Sequence, residues 1–244
     1  NIKTISRYDN GSSIESYYES FGYDNYNQLI DHYQYSDNYE RNTSYTYDIR
    51  GNIKTISKTL RFSGIQLSTS FISLDYETNG WKDKLTSVTI DGVTSYIDGY
   101  DVIGNPCTYF NYDIKYEQRS IKSIISTDNL TELDFSYNAS GIRTKKYDVY
   151  KGIETNYILD GSKILQESRS SGISLKYHYD QSGSIIGFTY QNNNYFFVKN
   201  LQNDIIGITN SSGNLIVTYV YDAYGNIISI KDSSGINLGK INPF

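Results

Sequence analysis

Methionine is absent from these 244 residues, and cysteine, proline and tryptophan are nearly so, with one Cys, two Pro and one Trp. Without an initiator methionine, the chain is expected to be a processed or excised piece of a longer one. The single thiol, Cys107, excludes an internal disulfide framework and any multi-thiolate zinc site. Two histidines, His32 and His178, argue against an imidazole-based metal cage. Long apolar runs are missing too, and none approaches the about 20 residues that a membrane helix needs. There is no signal-peptide pattern, which in a piece of a longer chain says nothing about export. Positive charge is not in excess: 22 basic against 27 acidic residues give a net charge of −5. That balance offers no electrostatic footprint for nucleic acid or an anionic membrane. No metal or cofactor is expected.

What is present points to strands. There are 27 Tyr, while Ala occurs only at Ala139 and Ala223. Aromatic and β-branched side chains suit a pleated, half-buried surface, whereas helices lean on Ala, Leu, Glu and Lys. Turn signals punctuate the chain, as at Asp91-Gly92, Asp160-Gly161, Ser171-Gly172, Ser182-Gly183, Ser212-Gly213 and Ser234-Gly235. Between them run short stretches such as Ser174–Tyr179, where Leu175, Tyr177 and Tyr179 share one face and Lys176 and His178 the other. The segment Leu215–Tyr221 is apolar on both faces, which predicts a strand covered on both sides or lining an interior. The expected fold is all-β, an antiparallel meander of short strands.

A unit recurs: Tyr-Asp-x-x-Gly-Asn-Ile. Its best copies are Tyr47-Asp48-Ile49-Arg50-Gly51-Asn52-Ile53 and Tyr221-Asp222-Ala223-Tyr224-Gly225-Asn226-Ile227. Variants begin at Tyr100-Asp101 with Gly104, at Tyr137-Asn138 with Gly141, and at Tyr179-Asp180 with Gly183; at Tyr23-Asp24, Asn27 takes the glycine slot. Weaker registers sit at Tyr157 and Lys199. The anchors 137, 157, 179, 199 and 221 are 20, 22, 20 and 22 residues apart, so each unit is a hairpin of about 21 residues. Mechanically, Tyr ends an inbound strand, Asp starts the turn by accepting backbone N–H groups, and Gly takes the positive-φ position. Ile then opens the outbound strand. Rings at fixed spacing predict a structural ladder of cross-strand pairs, each contributing about 0.2–1 kcal/mol. The alternative fold is a β-propeller, because 42 residues, two such units, is also a blade period.

With that repeat, the run Tyr195-Phe196-Phe197-Val198-Lys199-Asn200-Leu201-Gln202-Asn203-Asp204-Ile205-Ile206-Gly207-Ile208 and the pair Val217–Asn226 and Leu238–Phe244 resemble the YD-repeat, or RHS-repeat, family of very large bacterial surface and secreted proteins, with its RHS-associated core. Toxin-complex C subunits and the animal teneurins share the plan. The resemblance implies a curved strip of hairpins that spirals into a shell around a C-terminal toxin or effector domain. It implies residues 1–136 as an irregular YD-repeat segment and 137–244 as regular repeats entering the core. The family's self-cleavage segment, with its Asp-Pro, is not found here, so no autoproteolytic residue carries over.

Enzymatic sites are weighed against this reading. Asp98 with Asp101, or Asp31 beside His32, supply carboxylate pairs, but their Gly and Asn neighbours mark them as turn residues. Both histidines read as exposed side chains, and Cys107, with no histidine nearby in sequence, as an idle thiol. No nucleophile elbow, phosphate loop or EF-hand appears. The expectation is therefore a non-enzymatic segment of a secreted or surface bacterial protein, whose partner is the C-terminal domain of its own parent chain. The alternative is an adhesin module that binds cell-surface glycan or protein. Trp81, Phe196 and Phe197 are its candidate ligand-facing aromatics. Open sheet edges also predict edge-to-edge self-association.

Overall fold

A computed structural model of the chain describes residues 2–8, 15–128 and 130–244. The chain divides into two compact units, Asn1–Asp113 and Ile114–Phe244. The first sheet has eight strands: β1 (Thr4–Tyr8), β2 (Glu15–Tyr23), β3 (Leu29–Ser36), β4 (Tyr39–Tyr47), β5 (Ile53–Phe62), β6 (Ile65–Tyr76), β7 (Leu85–Ile90) and β8 (Val93–Tyr96). The second has thirteen: β9 (Thr108–Tyr109), β10 (Tyr112–Glu117), β11 (Ser120–Ser126), β12 (Glu132–Tyr137), β13 (Arg143–Asp148), β14 (Ile153–Asp160), β15 (Lys163–Arg169), β16 (Ser174–Tyr179), β17 (Ile185–Tyr190), β18 (Asn193–Lys199), β19 (Ile205–Asn210), β20 (Leu215–Tyr221) and β21 (Ile227–Asp232). One short helix, α1 (Leu238–Ile241), follows.

Both sheets run in strict sequence order, so each is a pure meander and the fold is all-β. Neither sheet closes on itself. The propeller alternative does not hold. Sheets of eight and thirteen strands are not four-stranded blades, and the 42-residue spacing is two hairpins of one continuous sheet.

Turn chemistry explains the meander. Ser63-Gly64, Asp91-Gly92, Asp37-Asn38 and Gln191-Asn192 are two-residue loops with both residues at positive φ, a twist that matches paired strands. Many of the other hairpins close through longer turns built on Asp or Asn, described below.

The units differ in what they bury. In the second, Leu175, Tyr177, Phe188, Tyr190, Tyr195, Ile205, Ile208, Val217, Tyr219 and Leu238 form one apolar cluster. The chain after β21 packs on it. Leu238 is fully buried, and Gly239 lies so close that a Cβ there would sit 2.6 Å from Ile230 and 2.9 Å from Val217. The Tyr219 hydroxyl donates to the Gly239 carbonyl at 3.0 Å, Arg169 Nη2 to the Ile241 carbonyl at 2.9 Å, and Phe244 stands edge-on to Tyr177 at 4.9 Å. Strand β20 buries Val217 and Tyr219, while Leu215 on that same face is exposed and Ile216 on the other is partly buried, so the strand is packed chiefly on one face. In the first unit, Glu19, His32, Gln34, Ser36 and Thr43 are buried beside Tyr45.

Candidate functional site

The recurring turns form the most regular feature of the surface. At Asp48, Oδ1 accepts the N–H groups of Arg50 (2.8 Å) and Asn52 (3.0 Å), and the Asp48 N–H donates to the Asn52 carbonyl. The same pair of side-chain bonds recurs at Asp24, Asp101, Asn138, Asn200, Asn210 and Asp222. Asp180 accepts from the Ser184 N–H and the Ser182 hydroxyl. The Asn after the glycine closes back on the carboxylate at Asn52, Asn105 and Asn226. These donors hold two carboxyls below the ordinary range, with Asn105 foremost at Asp101 and Ser182 at Asp180. At Asp48 desolvation pushes the other way, and the bonds from Arg50 and Asn52 outweigh it. A carboxylate so engaged is a turn acceptor with little freedom to act as a base.

The tyrosines tie successive hairpins together. The Tyr47 hydroxyl donates to the Leu29 carbonyl (2.6 Å), Tyr100 to Leu85 (2.6 Å), Tyr137 to Ile121 (2.7 Å), Tyr179 to Ile164 (2.8 Å) and Tyr221 to Ile205 (2.7 Å). Leu29 and Ile205 are the residues that open the outbound strand of the preceding unit. Each of these five tyrosines therefore reaches back one hairpin and fastens its start. Burial pushes the Tyr221 hydroxyl up to about 12, so the donor keeps its proton well above neutral pH. The strand register shifts by one residue at Tyr23, Tyr47, Tyr137, Tyr179 and Tyr221, a bulge that ends pairing and starts the turn.

One member of this series escaped the sequence reading. Tyr76 donates to the Ile53 carbonyl at 2.9 Å and carries the same bulge. Its turn is longer, with Leu85 rather than the sixth residue opening the next strand, so the Gly-Asn signature is lost. Lys199 occupies a tyrosine slot before the Asn200 turn, and its Nζ reaches the preceding turn at Ser184 Oγ (2.8 Å).

Adjacent turns also touch. A Cβ on Gly51 would meet Gln28 at 3.0 Å, on Gly104 Trp81 at 3.1 Å, and on Gly183 Lys163 at 2.8 Å. All three glycines have positive φ, so the backbone favours glycine at each, and at Gly104 the Trp81 ring adds a steric reason. Gly141 and Gly225 share the positive φ with open space around them. Trp81 is thus seated over the Gly104 turn and edge-on to Tyr100 at 6.0 Å, although half of its surface stays exposed. Phe196 and Phe197 point to opposite faces. Phe196 is exposed, and the partly buried Phe197 packs against Phe188 at 5.6 Å. Alternation on β18 places it on the core side.

His32 departs from expectation as well. It is buried, stacks on Phe21 at 4.7 Å, and its Nε2 lies 3.2 Å from Glu19 Oε1. Gln34 Nε2 donates to the same carboxylate at 2.8 Å and to the Tyr17 hydroxyl at 3.1 Å. Burial pushes Glu19 up, but bonds from His32, Tyr17 and Gln34 together hold its carboxyl below the ordinary 4.5. The polar stretch around His32 hid this, because a strand burying polar residues reads as solvated. His178, on β16, is half-buried and bonds Thr189 Oγ1 at 2.7 Å. In the second unit Glu167 pairs with Arg169 under Tyr177, whose hydroxyl is pushed up by burial and the nearby carboxylate. Cys107 is half-buried, with Sγ 4.0 Å from the Asn105 carbonyl. Among the described residues, no three His, Cys, Asp or Glu side chains gather as a metal site, and no helix is long and apolar enough to cross a membrane.

No protein-family model matches the chain. Curated proteins do, two of them over 193 residues each, 75% of the chain. The chain is similar to WapA proteins. It is 28% identical to the tRNA3(Ser)-specific nuclease WapA of Bacillus spizizenii and 26% identical to the tRNA nuclease WapA of Bacillus subtilis. It spans about 7% of the length of these relatives. Among solved structures, a crystal structure of TcdB2-TccC3-TEV is similar over 90% of the chain and 15% of its own, with 12% identity and a TM-score of 0.46.

These relatives correct one expectation. The chain was expected to be non-enzymatic, yet the curated proteins it resembles are named as tRNA nucleases. So small a share of a relative's length is a poor guide to the activity of the whole.

Proposed function

We propose that this chain is a stretch of YD-repeat wall in a longer bacterial protein, exported or surface-borne, that carries a nuclease as its C-terminal toxin domain. The wall encloses or presents that domain until delivery. The observation that carries this reading is the tyrosine-to-carbonyl tie repeated between successive hairpins in both meanders. Such ties let a sheet extend unit by unit, each contacting only its neighbours, which is how a long wall is assembled. Similarity to WapA nucleases supplies the nature of the cargo. The test is latency. The parent protein, purified whole, is expected to cleave tRNA weakly until denaturant or protease opens the wall, and then strongly. Equal cleavage before and after opening contradicts enclosure.

A second reading, a glycan-binding face, is favoured only by the exposure of Trp81. An array of glycans probed with the 244-residue chain decides it: a hit lost in Trp81→Ala supports the reading, and blank spots remove it.

A further inference from the structure

The loop between β6 and β7 does more than reverse the chain. Its base is closed by the Glu77 N–H donating to the Lys84 carbonyl at 2.9 Å and the Lys84 N–H to the Trp81 carbonyl at 3.0 Å. From there it reaches the turns on both sides. Asp83 Oδ1 accepts from Asn52 Nδ2 at 2.9 Å, in the turn between β4 and β5. On the other side the Trp81 ring covers Gly104, and Lys84 Nζ stands 4.9 Å over the Tyr100 ring.

At the tip of this loop lies Asn79-Gly80. Residues 78–83 are all exposed. Among the described residues, no hydrogen bond engages the Asn79 side chain or the Gly80 N–H. A Cβ on Gly80 would meet only the Glu77 side chain, no nearer than 3.7 Å. An asparagine amide followed by a free, uncrowded glycine N–H is the arrangement from which asparagine cyclises.

The turn asparagines are built otherwise. Asn138, Asn200 and Asn210 each accept two backbone N–H groups at Oδ1, which fixes the carboxamide in its turn. The residues after them, Ala139, Leu201 and Ser211, carry side chains that crowd the attacking nitrogen. Among the described residues, Asn79 alone precedes a glycine; Asn10-Gly11 repeats the dipeptide outside them.

We infer that Asn79 is a self-modification site whose conversion releases Trp81 from the Gly104 turn. The Gly80 nitrogen attacks Asn79 Cγ, the new C–N bond closes a succinimide ring, and the side-chain nitrogen leaves as ammonia with the proton from Gly80. Water then opens the ring at either carbonyl, leaving an aspartyl or an isoaspartyl residue at position 79. Both products add a negative charge to a loop that already holds Glu77 and Asp83. The isoaspartyl product also puts an extra carbon into the main chain two residues before Trp81. With the loop base fixed at Glu77 and Lys84, that added length shifts the indole off Gly104. This inference does not rest on the wall reading.

Peptide mapping of the 244-residue chain, aged in mildly alkaline buffer, tests it. The fragment holding Asn79 is expected to become about 1 Da heavier and to divide into aspartyl and isoaspartyl forms, at least about tenfold faster than the fragments holding Asn138, Asn200 or Asn210. Trp81 is the one tryptophan, and its emission is expected to move to longer wavelength in step with that conversion. Asn79→Gln, whose longer side chain closes a ring slowly, is expected to keep both fragment mass and emission unchanged. Freshly purified Asn79→Asp adds the charge without the length and is expected to emit as the unaltered chain does. Conversion at Asn79 no faster than at the turn asparagines overturns the inference. So does conversion that leaves the Trp81 emission in place, a shift that Asn79→Gln shares on ageing, or one already present in fresh Asn79→Asp.

Discussion

The two units share a frame and differ in filling. Both are meanders with Asx turns, bulged tyrosines and hydroxyl ties to the preceding hairpin. One buries Glu19, His32, Gln34, Ser36 and Thr43 with a few apolar side chains, Tyr45, Val88 and Ile97; the other buries a larger apolar cluster, Phe188, Leu175, Ile208, Val217 and their neighbours, with Glu167 and Thr155 among its buried polar groups. The frame therefore does not depend on the chemistry of the face it presents. It is written in the turns, where the Asp or Asn side chain accepts nearby backbone N–H groups, and the face is free to vary. Apolar burial contributes about 25 cal/mol per Å² without any geometric demand. A buried carboxylate instead needs every partner it has.

That difference can be broken experimentally, starting where the apolar face is tightest. Phe188→Ala leaves a hole between Tyr195 and Phe197 and is expected to destabilise the second unit by about 3–5 kcal/mol. Trp81, the one tryptophan, sits in the first unit, so its fluorescence transition in urea is expected to stay in place while exchange protection in β16–β20 collapses. A shift of both together means that the units are one cooperative body.

In the first unit, His32→Ala strands the Glu19 carboxylate and is expected to cost about 3 kcal/mol, read from the Trp81 transition. Replacing Glu19 and His32 together by leucine is expected to recover most of it, because an apolar pair needs no partner. The pH dependence follows from Glu19. Its folded value lies below 4.5, so its contribution is whole above that ordinary value and fades as pH falls through the lower folded one. The stability gap between Glu19→Gln and the unaltered chain is expected to close with acidification. A gap independent of pH contradicts the assigned network.

Gly104→Ala tests the turns themselves. It is expected to cost about 1–3 kcal/mol, since φ is +92° and Trp81 must move. Gly225→Ala, with equal φ strain and open space, is expected to cost less. The smallest effect sharpens what the units share. Tyr47→Phe and Tyr221→Phe each lose one hydroxyl tie and are expected to cost about 1 kcal/mol in their own unit. Unequal costs would mean that the tie is structural in only one of them.

Much of this frame was legible in the sequence, because turns are local. Asp48, Asp101 and Gly183 announce their geometry through residues two to four positions away, and the hairpin period follows from them. The hydroxyl acceptors were not legible, since Leu29 lies 18 residues before Tyr47 and contributes only a backbone carbonyl. Tyr76 was hidden by its longer turn. The burial of His32 was hidden for the opposite reason: hydropathy describes a side chain in isolation, and Glu19 and Gln34 become partners only when β2 and β3 pair. Phe197 and Phe196 were separable by alternation alone, once the strand containing them was placed.

The most direct measurement of the wall reading is an electron cryomicroscopy map of the parent protein. The account predicts that residues 1–244 form part of a continuous hairpin wall, with Tyr47, Tyr137 and Tyr221 tied to preceding carbonyls and density for the nuclease domain on the inner side. A nuclease domain lying free of the wall, connected only by a linker, would contradict it.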